Sequence, residues 1–76
     1  MNGMKLRGKM VEKGISTVTL SKELGIARST LWRKISTGNF TVGEAEKIII
    51  FLDLSFPEVE EIFFPNNRIV AIEETE

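Results

Sequence analysis

The chain of 76 residues contains no cysteine, no histidine and no tyrosine. Without cysteine it can form neither a disulfide nor a thiolate–zinc site. Without histidine it lacks the usual general base and the commonest metal ligand. No catalytic constellation can be assembled from what remains, so the chain does not read as an enzyme and no cofactor or metal is expected. Long apolar runs are missing as well. The longest, Ile48 to Leu52, is far short of the roughly 20 residues of a membrane span. No charged stretch followed by an apolar core opens the chain, so no secretory signal is expected and a cytoplasmic setting is the default. This length gives one small domain with a thin core, a situation in which association between copies helps.

Net charge is −1, but its distribution is lopsided. Residues 1–40 hold eight basic and two acidic side chains, a balance of +6. Residues 41–76 hold two basic and nine acidic, a balance of −7. A polyanion responds to a local patch rather than to the whole-chain sum. The basic half therefore deserves a reading of its own.

Within that half, Ser16 to Ser36 reads STVTLSKELGIARSTLWRKIS. Leu20, Ser21 and Leu24 give a first short helix, from about Thr17, one narrow buried side. Ser16 stands at its N-cap, and Gly25 follows its last periodic residue as a left-handed stop. Ile26 is an apolar plug after the turn. A second helix then turns Leu31 and Ile35 inward and Arg28, Ser29, Trp32 and Arg33 outward. Ser21, four before the glycine, is small where the two helices would cross closely. Together these features spell a helix-turn-helix, whose second helix enters the DNA major groove with its N-terminal part toward base edges.

The side chains on that second helix suit such a surface. Arg28 can reach guanine O6 and N7 in bidentate fashion, and Ser29 is a short donor for a base edge. Trp32 and Arg33 lie one turn on. Trp32 either packs on a thymine methyl or lids the core, and the sequence leaves both open. Ser16, Thr17, Thr30, Lys34, Thr37 and Asn39 are candidates for phosphate contacts, the first two at a helix N-terminus that favours an anion. Ala27 stands where a serine, threonine or aspartate would cap the helix.

The flanks complete the picture. Residues 2–13 read as a helix with Leu6, Met10 and Val11 toward the core. Lys5, Lys9 and Lys13 form a basic stripe along it, either solvated or facing phosphate. Phe40 precedes a Thr41–Glu44 capping box and pairs with Ala45 as a hydrophobic staple. In the helix that follows, Val42, Ala45, Ile49 and Leu52 mark an apolar face with Ile48 beside it, while Ile50 and Phe51 fall outside. Ser55 and Pro57 open a fifth helix over about 56–63, with Val59, Ile62 and Phe63 inward and Glu58, Glu60 and Glu61 toward water. Phe56 and Phe64 are left over as surplus apolar surface, which suggests a dimer, and with Phe51 and Phe63 they are the candidate dimer or partner interface. The RIVAI segment, Arg68 to Ile72, has strand propensity but nothing within the chain to pair with. The reading is thus a domain over residues 1–64 and a C-terminal tail over 65–76, either an exchanged strand or disordered.

Over about residues 4–64 the chain resembles the lambda-repressor-like, or Cro/repressor-type, helix-turn-helix family. The resemblance rests on the EKGIS entry, the LSKELGIARSTLWRKI core and the FTVGEAEKI…LDLSFPEVEEIFF end. It is similar in particular to small Cro-like proteins of temperate phages and prophages of Gram-positive bacteria. That resemblance implies an all-α, five-helix bundle that binds a double-stranded operator as a homodimer and regulates transcription. It places Thr17 where the family has a phosphate-binding glutamine and puts Arg28, Ser29, Trp32 and Arg33 at base-reading positions. The sequence departs from the pattern at Thr17, at Ser21 (usually alanine), at Ala27 (usually a capping serine) and at Lys34 (often apolar). The rival reading is an anti-repressor or co-repressor that binds a partner repressor protein through the acidic, phenylalanine-rich half.

Overall fold

Local capping chemistry marks where four of the five short helices begin, and packing holds them. The computed structural model describes residues 1–65. In chain order it contains α1 (Gly3–Glu12), α2 (Thr17–Leu24), α3 (Arg28–Thr37), α4 (Val42–Phe51) and α5 (Phe56–Phe63), and no strand among the described residues. The RIVAI segment and the acidic end lie outside them.

Four of the five helices begin on a side-chain cap. The Asn2 side chain accepts from the Lys5 N–H and that of Ser16 from Thr19 N–H. Thr41 and Ser55 form full capping boxes with Glu44 and Glu58. These caps satisfy backbone donors that a helix start leaves without partners. Gly25 and Gly38 close α2 and α3 at φ 71° and 77°, a conformation that glycine adopts without steric cost. Asp53, at φ 52°, turns the chain after α4.

Packing centres on Leu6, Leu20, Leu31, Ile48, Leu52 and Ile62, each almost fully buried. α2 packs on both α3 and α4, and α1 packs on α3 and α5. Among the described residues Ser21 is the single buried polar one, and its hydroxyl donates to the Val18 carbonyl at 2.8 Å. A buried hydroxyl without a partner would cost free energy, so this bond makes the small side chain tolerable there.

Three expectations are corrected. Val11 is exposed, because α1 turns only Leu6 and Met10 fully inward. Val42 is 77% exposed: it lies in the first turn of α4, about 120° round the helix from Ile48, which is the residue that points into the core. Phe51, expected outside the apolar face, packs partly buried against the core, as does Phe63.

The lysine stripe faces neither water alone nor an open surface. Lys5 pairs with Glu61 at 3.2 Å, Lys9 with Glu12 at 3.1 Å and with Glu58 at 2.6 Å. Lys13 donates to the Asp53 carbonyl at 3.5 Å. The Asn2 N–H donates to the Ile62 carbonyl at 2.7 Å, so α1 is tied to α5 by backbone and side chains together. Glu61, expected to face water, is exposed while it pairs with Lys5, whereas Glu58, expected to face water, is largely covered where it pairs with Lys9.

This pairing makes stability depend on acid. The Lys9 ammonium, and after it the Ser55 N–H, hold the Glu58 carboxyl down to about 2 from its ordinary 4.5. Glu44 is lowered as well, first by the Thr41 N–H and then by Lys34. Below pH 4.5 the unfolded chain takes up protons that the folded chain refuses, so stability falls as acid is added and the Glu58 contribution is gone below about pH 2. The urea midpoint of the wild type is expected to fall steadily over this window. Glu58→Gln, which keeps the cap geometry, should start lower at neutral pH and fall less. Parallel profiles for the two proteins would contradict the role given to the pair.

Candidate nucleic-acid interface

The corner between α2 and α3 sets the geometry. After Gly25, the Ile26 N–H donates back to the Ser21 carbonyl at 3.0 Å, which closes the end of α2, and three residues separate that end from the start of α3. Ile26 is partly buried against the core. Leu31 and Ile35 anchor the inner side of α3, and Arg28, Ser29, Trp32 and Arg33 are exposed on its remaining surface. These four stand at i, i+1, i+4 and i+5, so they occupy two successive turns of one helix face.

The expected phosphate set is less uniform. Ser16 and Thr17 stand at the start of α2, where the Ser16 Oγ accepts from the Thr19 N–H and its hydroxyl donates to Thr19 Oγ1, both at 3.1 Å. Ser16 is exposed, while Thr17 and Thr30 are half-buried. At the far end of α3 the side chains are engaged within the chain. Lys34 Nζ lies 3.2 Å from Glu44 Oε1 and 3.3 Å from the Asn39 carbonyl, and its side chain is largely covered. The Thr37 hydroxyl donates to the Arg33 carbonyl at 2.9 Å. This is also the negative end of the α3 dipole. Asn39 is exposed. An anion is therefore better served near Arg28 and the α2 start than near Lys34, Thr37 and Asn39.

Three lysines and three arginines of the first three helices differ in their partners. Lys5, Lys9 and Lys34 are each paired with a glutamate from α4 or α5. Arg7, Arg28 and Arg33 reach no carboxylate among the described residues. The positive charge left over on the α3 side is thus guanidinium, the group whose planar fork matches phosphate and guanine bidentately.

Sequence reasoning missed Arg7. Its guanidinium carbon lies 4.5 Å from the centroid of the Trp32 ring, within the range of a cation–π contact. Trp32 is 37% exposed, so Arg7 covers part of it and solvent another part. The signal was the i, i+4 spacing of Gly3 and Arg7, which puts a residue with no side chain and a cation on the same side of α1.

The four phenylalanines expected at an interface separate into two kinds. Phe51 and Phe63 belong to the core margin, whereas Phe56 is 74% and Phe64 53% exposed. Val42 and Ile50 (78% exposed) add to the outer apolar surface of the acidic half. Among the described residues no group of acidic, histidine or cysteine side chains is placed to hold a metal, and no helix is long and apolar enough to cross a membrane. No family model matches the chain, and neither a curated protein nor a solved structure is significantly similar to it.

Ala27, at the N-cap of α3, makes no side-chain cap bond although its backbone already has cap geometry, φ −70° and ψ 152°. A serine fits that backbone and supplies the missing acceptor. Ala27→Ser is expected to raise unfolding free energy by about 1 kcal/mol in urea titration. No gain would mean that the first turn of α3 has its donors satisfied by water at no net cost.

Proposed function

We propose that the protein is a sequence-specific, double-stranded DNA-binding transcriptional regulator of the lambda-repressor-like helix-turn-helix type, of Cro-like character. The observation that carries this reading is the outward face of α3, where Arg28, Ser29 and Arg33 are exposed and both guanidiniums reach no carboxylate among the described residues. The glutamates of the acidic half neutralise lysines elsewhere and leave this face positive. Arg28 in the first turn reads a guanine, Ser29 an adjacent base edge or phosphate, and Arg33 a further base one turn along. Ser16 and Thr17 offer the N-terminus of α2 to a backbone phosphate. Action as a homodimer is part of the proposal, since a single short helix reads few base pairs and paired half-sites multiply specificity.

A second reading is favoured by one observation. Val42, Ile50, Phe56 and Phe64 leave an unusual amount of apolar side chain exposed on a domain this small. In that reading the acidic half docks on a partner repressor protein and the molecule acts as an anti-repressor or co-repressor.

Fluorescence anisotropy on a selected duplex separates the two. Under the DNA reading, Arg28→Ala weakens the cognate site by about 1–3 kcal/mol and relaxes preference at one base pair. Equal weakening on every sequence would reduce Arg28 to a backbone contact. No binding by the wild type, even at low salt, would favour the partner-protein reading.

A further inference from the structure

We infer that Arg7, on α1, is a phosphodiester-binding residue of the same surface and that Trp32 is the platform that holds it in place. The inference rests on the DNA-binding reading above and extends it to an element outside the helix-turn-helix.

The two helices pass each other closely. A Cβ at Gly3 would lie 2.6 Å from the Ile35 carbonyl oxygen, so the backbones approach within a distance that only glycine permits. Four residues along α1 from that contact, Arg7 meets Trp32, three residues back along α3. The helices therefore run antiparallel here, and Arg7 meets α3 at Trp32, one helical turn along from Arg28. The guanidinium carbon sits over the indole ring, 4.5 Å from its centroid, so the ring covers one side of the group. Its five N–H donors lie in the plane and stay open to an acceptor. Arg7 is exposed and has no carboxylate partner among the described residues. An arginine held on one side by a ring, with its donors open and its charge unneutralised, is preorganised for bidentate contact with a phosphate. Trp32 in this arrangement fixes a cation and does not read a base.

The experiment uses the full chain and a fluorescein-labelled mixed-sequence duplex, with affinity measured by anisotropy across a salt series. One phosphate contact contributes about 0.9 to the slope of log K against log salt. Arg7→Ala is expected to lower the slope by that amount, so that the ratio of affinities at about 50 and 200 mM salt shrinks by about 3.5-fold. Trp32→Ala should reproduce the loss, the double variant should be no worse than either single one, and Trp32→Phe should retain most of the binding. Trp32 is the sole tryptophan and tyrosine is absent, so intrinsic fluorescence reports on this ring alone. Arg7→Ala should make it more accessible to acrylamide, which reports loss of the contact, while an unchanged far-ultraviolet circular dichroism spectrum and urea midpoint verify that the variant is folded. Greater accessibility with an unchanged salt slope would overturn the inference while Arg28→Ala still weakened binding, leaving Arg7 a purely structural brace. If the wild type fails to bind the duplex at low salt, the DNA-binding reading falls and this inference falls with it.

Discussion

The close packing of α2 against its neighbours is the constraint on which the other elements depend. α2 is only eight residues long, yet it buries Leu20, Ser21 and Leu24 and meets both α3 and α4. An isolated helix of that length is unstable in water, so α2 exists because its neighbours cover it. Ser21 is compatible with that cover because it is small and satisfies its own hydroxyl on Val18. Once α2 is seated, the Gly25 turn leaves α3 little freedom: Leu31 and Ile35 must point in, and the arginines must point out. The proposed functional face is thus a by-product of core packing on the opposite side of the same helix.

The acidic half acts on the basic half in two ways. Glu44 and Glu58 are capping-box residues that start α4 and α5, and each also binds a lysine of an earlier helix. A carboxylate already fixed by a backbone N–H loses less side-chain freedom on taking an ion partner, so these pairs are more effective than free surface pairs. The same pairs remove lysine charge from the α1–α5 and α3–α4 seams. Arg7 on α1 and Arg28 and Arg33 on α3 keep their charge, with no carboxylate partner among the described residues. Fold stability and charge placement therefore come from one set of residues.

Local chemistry was legible in the sequence and tertiary arrangement was less so. Ser16, Gly25, Thr41 and Ser55 announce helix ends because caps and left-handed turns depend on residues a few positions apart. Leu20, Leu24, Leu31 and Ile35 were legible as core because each pair sits one turn apart on a short helix. The α4 face was misread at Val42 and Phe51, since its apolar residues cover most of the helix circumference and only the neighbours decide which side turns inward. The roles of Lys5, Lys9 and Lys34 could not be read, because their glutamate partners are distant in sequence. The Arg7–Trp32 contact belongs to the same class, being created by the close approach of two helices at Gly3. Arg28, Ser29, Trp32 and Arg33, the positions expected to read bases, were legible as exposed positions on α3. Their action on DNA is a separate question, put by chemistry rather than by packing.

The most direct test of that action is a heteronuclear NMR titration of the intact protein with a mixed-sequence duplex. The account predicts salt-sensitive shifts concentrated on the amides of Arg28 to Arg33, on Ser16 and Thr17, on Arg7 and on the Trp32 indole N–H. The surface of Val42, Ile50 and Phe56 should stay unperturbed when non-specific binding is weak enough to leave the protein monomeric. Shifts confined to that apolar surface, or none at all at low salt, would contradict the claim that the outward face of α3 is a DNA-binding face.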